Sequence, residues 1–330
     1  METPVEYALG IDIGGTTSKF GIVNHRGDIS NVGDISTTNH DDVNLFIDEL
    51  YEAIKPSIKA IGGIDLIKGI GVGAPNGNYY SGTIEYAPNL PWRGIIPIAK
   101  MITNKFNKPC TLTNDANAAA IGELMYGAAR GMRDFIMITL GTGVGSGIVA
   151  NGQLIYGHDG FAGELGHTII RPGGRLHWGT GMKGSLETYT SATGISITAK
   201  EILDERVNEK SLLRDIPHEK ITSKKVCEAA LKGDAIANEV FQITGQILGE
   251  ALANFVMFSS PEAIILFGGV IKAGKLLLDP TRASMEKNLL PIFQNKVKLI
   301  FSELKESDAA ILGASALVWE IKPEALSAGR

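Results

Sequence analysis

Leu9-Gly10-Ile11-Asp12-Ile13-Gly14-Gly15-Thr16-Thr17 alternates apolar residues with Gly and Asp, breaks at a glycine pair, and resumes as Phe20-Gly21-Ile22-Val23. The pattern reads as strand, tight turn, strand. Ile138-Thr139-Leu140-Gly141-Thr142-Gly143-Val144-Gly145 repeats the design within a second such unit over 135–150. Glycine turns of this kind suit anions, because a backbone without Cβ comes close and aims several N–H groups at one phosphate. Thr16, Thr17 and Thr142 add hydroxyl donors. Asp12 would repel a bare phosphate, so its place beside the turn makes sense with Mg²⁺ between the two. For either hairpin alone, a tight β-turn with an ordinary turn Asp is the competing reading.

Outward from the hairpins, helical and strand patterns mix in both halves, which predicts α/β lobes. Val43, Leu45, Phe46, Leu50 and Ile54 mark a helix that should end before Pro56. Ile67–Val72 reads as a buried strand, 94–106 as a helix, Cys110–Thr113 as a short strand and Asp115–Tyr126 as an alanine-rich helix. Helices dominate to Phe258, Ala263–Phe267 is a buried strand meeting Gly268-Gly269, and 307–319 is a terminal helix. A chain of 330 residues exceeds what one core usually supports. Two lobes are expected, a small one of residues 1–115 plus about 307–330 and a large one of 116–306.

Composition narrows the class. Apolar residues make up 44% and charged residues 20%, which excludes a largely disordered chain. The net charge of −5 argues against nucleic acid as a partner. No apolar run approaches the roughly 18 to 20 residues of a membrane span, and the N-terminus lacks signal-peptide features, so a soluble cytoplasmic protein is expected. Two cysteines, Cys110 and Cys227, cannot build a disulfide framework or a cysteine zinc cluster. Glycine is abundant, with 40 residues and no collagen period. No Walker motif occurs, and the G-x-G-x-x-G at Gly179, Gly181 and Gly184 follows no strand, so a dinucleotide fold fails its context test.

Several polar residues stand at places where chemistry is done. Asn114-Asp115 lies at a strand end before a helix, where a carboxylate is a helix cap or a general base at the carboxyl edge of a sheet. Glu164 and His167 stand three apart between glycines, and Glu187 follows. With His177, Glu164 and His167 are conceivable zinc ligands, but they lack metal-site spacing and a nearby cysteine. A polyol, needing several paired donors and acceptors, suits them better. Asn89, between two prolines, is a further candidate or a turn residue.

Taken together, these stretches resemble the actin/hexokinase-like ATPase superfamily. Residues 9–17 resemble its first phosphate motif, 138–145 its second, and Ile264-Ile265-Leu266-Phe267-Gly268-Gly269-Val270 its adenosine motif. Pro88-Asn89-Leu90, Asn114-Asp115-Ala116-Asn117 and Glu164-Leu165-Gly166-His167 are similar to the ROK family of sugar kinases and repressors, bacterial glucokinases in particular. The resemblance runs from about residue 8 to 315. It implies a two-lobed, ribonuclease H-like α/β fold with the active-site cleft between the lobes, and an ATP-dependent kinase for the 6-hydroxyl of glucose. Kinases for N-acetylglucosamine, N-acetylmannosamine, fructose or mannose share the frame, and an actin-like ATPase without a sugar substrate is a more distant alternative.

By position, the resemblance implies that Asp115 is the general base and that Asn89, Asn114, Asp115, Glu164, His167 and Glu187 bind the sugar. It assigns Asp12 to Mg²⁺ through the phosphates. Gly14, Gly15, Thr16, Thr17, Gly141, Thr142 and Gly143 would wrap the phosphates of ATP, with Gly268 and Gly269 facing adenosine. A homodimer is implied, with no nucleic-acid or membrane partner. Family repressors carry an additional N-terminal DNA-binding domain, and about eight residues precede the first motif here. Many members also carry C-x-C-G-x-x-G-C-x-E, whose cysteines hold structural zinc with the histidine of the E-x-G-H motif. Trp178, Thr180 and Ser185 stand at the cysteine positions, so no zinc site is expected. Packing by Trp178 and hydrogen bonds from Thr180 and Ser185 are expected to replace the metal.

Overall fold

The computed structural model describes residues 5–305 and 307–319. They divide into two compact units. One contains the chain up to Gly131, Leu154–Ala162 and the residues from Glu303 on; the other contains Met132–Gln153 and Gly163–Ser302. The division falls after the alanine-rich helix rather than at Asp115, because that helix packs on the terminal helix of the first unit. The part of the expected small lobe beyond 319, like residues 1–4, lies outside the described residues.

The first unit is built on a five-stranded sheet. Strands β1 (Tyr7–Ile13), β2 (Thr17–Asn24) and β3 (Ile29–Ser36) lead into helix α1 (Val43–Ala60) and strand β4 (Ile67–Gly73). Three short strands, β5 (Gly77–Asn78), β6 (Thr83–Glu85) and β7 (Ile95–Ile96), form a small separate sheet. Helix α2 (Ile98–Phe106), strand β8 (Cys110–Thr113) and helix α3 (Asp115–Tyr126) complete the stretch. The main sheet runs β3-β2-β1-β4-β8, with β1, β4 and β8 parallel.

Two sequence boundaries move. Helix α1 continues through Pro56 to Ala60 because Ile58 keeps its apolar face in the core, which outweighs the missing N–H. Helix α2 begins only at Ile98, after Ile95–Ile96 have paired as β7 and Pro97 has supplied the cap position.

Strand period decides which face of β1 does what. Leu9, Ile11 and Ile13 are fully buried in one core with Phe46, Leu50 and Ile54 of α1. Gly10 faces the other way, and so does Asp12. Gly10 pairs with Gly21 on β2 and Gly71 on β4, giving a row of three glycines across the sheet. Helix α9 (Ala309–Trp319) lies on that row. A Cβ at Gly10 would stand 2.4 Å from the Ile311 carbonyl oxygen, and one at Gly71 would stand 1.8 Å from that of Ala314. Part of the glycine excess is therefore a helix seat rather than ligand loops.

The second unit repeats the plan. Strands β9 (Phe135–Leu140), β10 (Val144–Ala150) and β11 (Gln153–Leu154) precede helices α4 (Glu187–Thr190), α5 (Ala192–Glu205), α6 (Ser223–Leu231) and α7 (Ala235–Ser259). Strand β12 (Ala263–Phe267), helix α8 (Lys275–Asn288) and strand β13 (Lys298–Phe301) follow. The sheet order is β11-β10-β9-β12-β13, with β9, β12 and β13 parallel. Its core joins Ile136, Ile138 and Leu266 to Leu248, Leu252 and Val256 of α7. Among the described residues no helix is long and apolar enough to cross a membrane.

Candidate functional site

In parallel α/β sheets, ligand-binding residues collect where the strands end. In the first unit, β1 ends at Asp12-Ile13, β4 at Gly73 and β8 at Thr113, just ahead of Asn114-Asp115. Gly73 lies close to both aspartates. A Cβ there would lie 3.8 Å from the Asp115 Cα and 3.9 Å from Asp12 Oδ1. The cap is identified locally. Asn114 is the N-cap, its side-chain oxygen accepting the Asn117 N–H at 2.7 Å. Asp115 is therefore free of that duty; its Oδ1 takes the adjacent Ala116 N–H at 2.8 Å. Asn114 is left with its amide NH₂ to offer a ligand.

Both carboxylates carry an electrostatic cost. Burial, then the charge of Asp115, push the Asp12 pKa up to about 6, with Lys19, its partner across the hairpin, pulling it back. Asp115 reaches solvent but is ringed by protein, and the lost hydration pushes its pKa up against the pull of the Ala116 N–H. The first hairpin closes through a bond from the Gly14 N–H to the Thr17 carbonyl at 3.2 Å. Asn89 lies against it: a Cβ on Gly15 would come 2.8 Å from the Asn89 carbonyl oxygen and 3.5 Å from its Nδ2. Leu90 and Trp92 anchor that loop in the core, the indole N–H donating to the His40 carbonyl at 3.0 Å.

In the second unit the hairpin at Gly141-Thr142-Gly143 is tied to the start of α5. The Ala192 N–H donates to the Gly141 carbonyl at 2.8 Å, and Thr193 Oγ1 to that of Thr142 at 3.0 Å. Gly268, at φ +102°, lies so close to the end of β9 that a Cβ would stand 2.6 Å from the Leu140 carbonyl oxygen. Gly141–Gly143 and Gly268-Gly269 are thus brought to one sheet edge.

Glu164, His167 and Glu187 gather around Val144. The turn carrying Glu164 and His167 presses on β10 at Gly166, where a Cβ would meet the Val144 carbonyl at 2.1 Å. Glu164 and His167 Nε2 are 3.9 Å apart. Glu187 Oε2 accepts the Val144 N–H at 2.7 Å, and its Oε1 meets His177 Nε2 at 2.5 Å.

Gly143 has no room for a side chain, since a Cβ would fall 2.5 Å from Glu187 Oε2. Gly143→Ala is expected to lower the melting temperature, with a cost of about 1–3 kcal/mol for overpacking. At Gly141, where a Cβ meets nothing within 4 Å, alanine should leave it unchanged. Equal melting curves for the two variants would refute the clash.

The donors aligned with the zinc ligands of the wider family do not fit that metal: one imidazole, an indole and two hydroxyls replace a thiolate-rich set. Among the described residues, no group of three or more His, Cys, Asp or Glu side chains is placed to hold a metal ion. The expected hydrogen-bond replacement needs correction at Ser185, whose buried hydroxyl finds no partner. Thr180 contributes its backbone N–H to His177 and its hydroxyl oxygen to the Met182 N–H. The loop is instead held by Arg175, which bonds the Thr188 and Gly194 carbonyls and Thr198 and pairs with Glu201, and by His177. The sequence marks His177 only as a conceivable zinc ligand and does not mark Arg175 at all.

A five-stranded sheet of one topology used twice, each entered by a glycine hairpin and the first with acidic and amide groups at its carboxyl edge, defines the two-lobed actin-like ATPase fold. The chain belongs to the ROK family, whose residue pattern matches residues 8–321. It is 37% identical over 316 residues to a glucokinase of Halalkalibacterium halodurans, covering 94% of each chain. It is 30% identical over 276 residues to a xylose repressor of Caldicellulosiruptor bescii, covering 83% of this chain and 67% of that one. The crystal structure of a ROK family glucokinase from Streptomyces griseus in complex with glucose and AMPPNP matches with a TM-score of 0.77 at 32% identity, over 94% of this chain and 98% of that one.

Proposed function

We propose that this protein is an ATP-dependent hexose kinase that phosphorylates the 6-hydroxyl of glucose. The observation that carries the reading is Asp115, relieved of capping by Asn114 and set beside Asp12 at the carboxyl edge of the first sheet. Similarity to glucokinases supports the choice of glucose.

Asp115 accepts the proton of the 6-hydroxyl as that oxygen bonds to the γ-phosphorus and the bond to the ADP oxygen breaks. Its raised pKa makes it a better base than an ordinary carboxylate. Asn89, Asn114, Glu164, His167 and Glu187 hold the ring hydroxyls, and this positioning supplies much of the rate. Asp12 suits Mg²⁺, because a partly buried carboxylate held near a second one gains from a cation. Mg-ATP, when bound, brings the phosphoryl group and offsets the charge on its oxygens. Gly14–Thr17 and Gly141–Gly143 offer backbone N–H groups and hydroxyls to the phosphates, and Gly268-Gly269 leaves space for adenosine. The enzyme acts as a cytoplasmic homodimer on this reading.

The test is ADP release measured across glucose, mannose, fructose, N-acetylglucosamine and N-acetylmannosamine. Glucose should give the highest kcat/KM. Best turnover with another hexose would move the substrate and keep the chemistry. Sugar binding without ADP release would support a sugar-responsive regulator, and ADP release without sugar an actin-like ATPase.

A further inference from the structure

The ring of His177 is only 5% exposed and both its nitrogens are engaged. Nδ1 accepts two backbone N–H groups, from Gly179 and Thr180, each at 3.0 Å. A nitrogen that accepts carries no proton, so the neutral imidazole bears its hydrogen on Nε2. Nε2 lies 2.5 Å from Glu187 Oε1, and so donates to it. The backbone of His177 closes the same small turn, its N–H donating to the Met182 carbonyl at 2.7 Å. The indole of Trp178 stacks on the ring, with centroids 4.6 Å apart and planes at 21°, and covers it from solvent.

Glu187 is therefore gripped at both oxygens, by His177 on one and the Val144 N–H on the other. Each carboxylate oxygen keeps a further lone pair, so the group presents acceptors only, in one fixed orientation. Two of the three aligned positions at which other family members carry zinc-binding cysteines hold residues that meet this ring, Thr180 through its backbone N–H. Trp178 stacks on it and Thr180 donates to it.

We propose that His177 is a positioning residue for the reaction: its imidazole sets the Glu187 carboxylate to receive sugar hydroxyls. This inference rests on Glu187 being a sugar ligand. Its effect belongs to sugar binding, because a loosened carboxylate must be reordered each time sugar arrives.

The experiment compares His177→Ala, His177→Gln, Glu187→Gln and the double variant His177→Ala/Glu187→Gln by steady-state kinetics with both substrates and by melting temperature. His177→Ala should raise the KM for sugar about tenfold, the effect of losing one hydrogen bond to a charged group, and leave the KM for ATP within twofold. Glutamine keeps an N–H near the Nε2 position, so His177→Gln should recover most of the sugar affinity. In the Glu187→Gln background, His177→Ala should add little. Equal losses for both substrates with no rescue by glutamine would overturn the proposal in favour of simple loop support. If Glu187→Gln weakens sugar use and His177→Ala does not, the positioning role alone fails. If Glu187→Gln leaves the sugar KM untouched, Glu187 is no sugar ligand, and the inference falls with that assignment. Should His177→Ala not fold, the ratio of the two KM changes in His177→Gln decides: a rise confined to sugar supports the role, and parallel rises overturn it.

Discussion

Asp115→Asn should lower kcat by about two orders of magnitude or more, the usual scale for losing a general base, with the KM for sugar changed only a few-fold. The substitution is close to isosteric. The side-chain oxygen that takes the Ala116 N–H is kept, and the cap on α3 belongs to Asn114, so the helix has no reason to move. What disappears is the capacity to take a proton. The pH profile gives a second reading. Burial raises the Asp115 pKa, so wild-type kcat should fall with acidification while still above the ordinary carboxylate range. As pH drops through that pKa the base becomes protonated and inactive. The residual activity of the asparagine variant should lack this limb. Turnover within about threefold of wild type would remove Asp115 from the role.

Asp12→Asn should do two opposite things: abolish most Mg-ATP use and stabilise the protein when no ligand is bound. The sign follows from linkage. In the folded chain the pKa of Asp12 is raised from 3.8 to about 6. A raised acid favours the folded state fully below its unfolded pKa, and that contribution is lost as pH rises through the folded value. At pH 7 the group is ionised in both states and the folded one carries the cost. Two pK units correspond to about 3 kcal/mol, and solvent reaching the carboxylate reduces this to about 1–3 kcal/mol. Urea unfolding of variant and wild type at a series of pH values should show a stability difference that grows between about pH 4 and 6 and then levels. Saturating Mg-nucleotide should narrow it, since the ligand stabilises only the protein that binds it. A difference independent of pH would show that Asp12 carries no such cost.

How far the sequence could be read depended on range. The hairpin at Gly14-Gly15 and its copy at Gly141–Gly143 are contiguous, and alternation plus glycine exposes them directly. Asn114 and Asp115 were visible as a pair, but their roles separated only once the 2.7 Å bond from Asn117 showed which one caps α3. The partnership of His177 with Glu187 spans a loop with no periodicity, so nothing in the spacing could announce it. The glycines at 10, 21 and 71 belong to three strands, and only their pairing turns them into a row. Pro56 misled for a simpler reason: a local rule for ending helices lost to the burial of Ile58. Strand glycines that admit a helix look like any others in a sequence, so the glycine excess points to ligand loops while part of it serves packing.

That row of glycines also sets an order of events during synthesis. Gly10, Gly21 and Gly71 leave the ribosome more than two hundred residues before the helix that lies on them, Ala309–Trp319. Until then the glycine row of the first sheet lacks the helix that packs on it, and nascent domains with incomplete packing are prone to aggregate. Most of the second unit, Gly163–Ser302, is made in the interval and can complete its own core first. Of the two units, the one begun first is therefore completed after the other, and holding its unfinished sheet is where a cellular chaperone would be of most use.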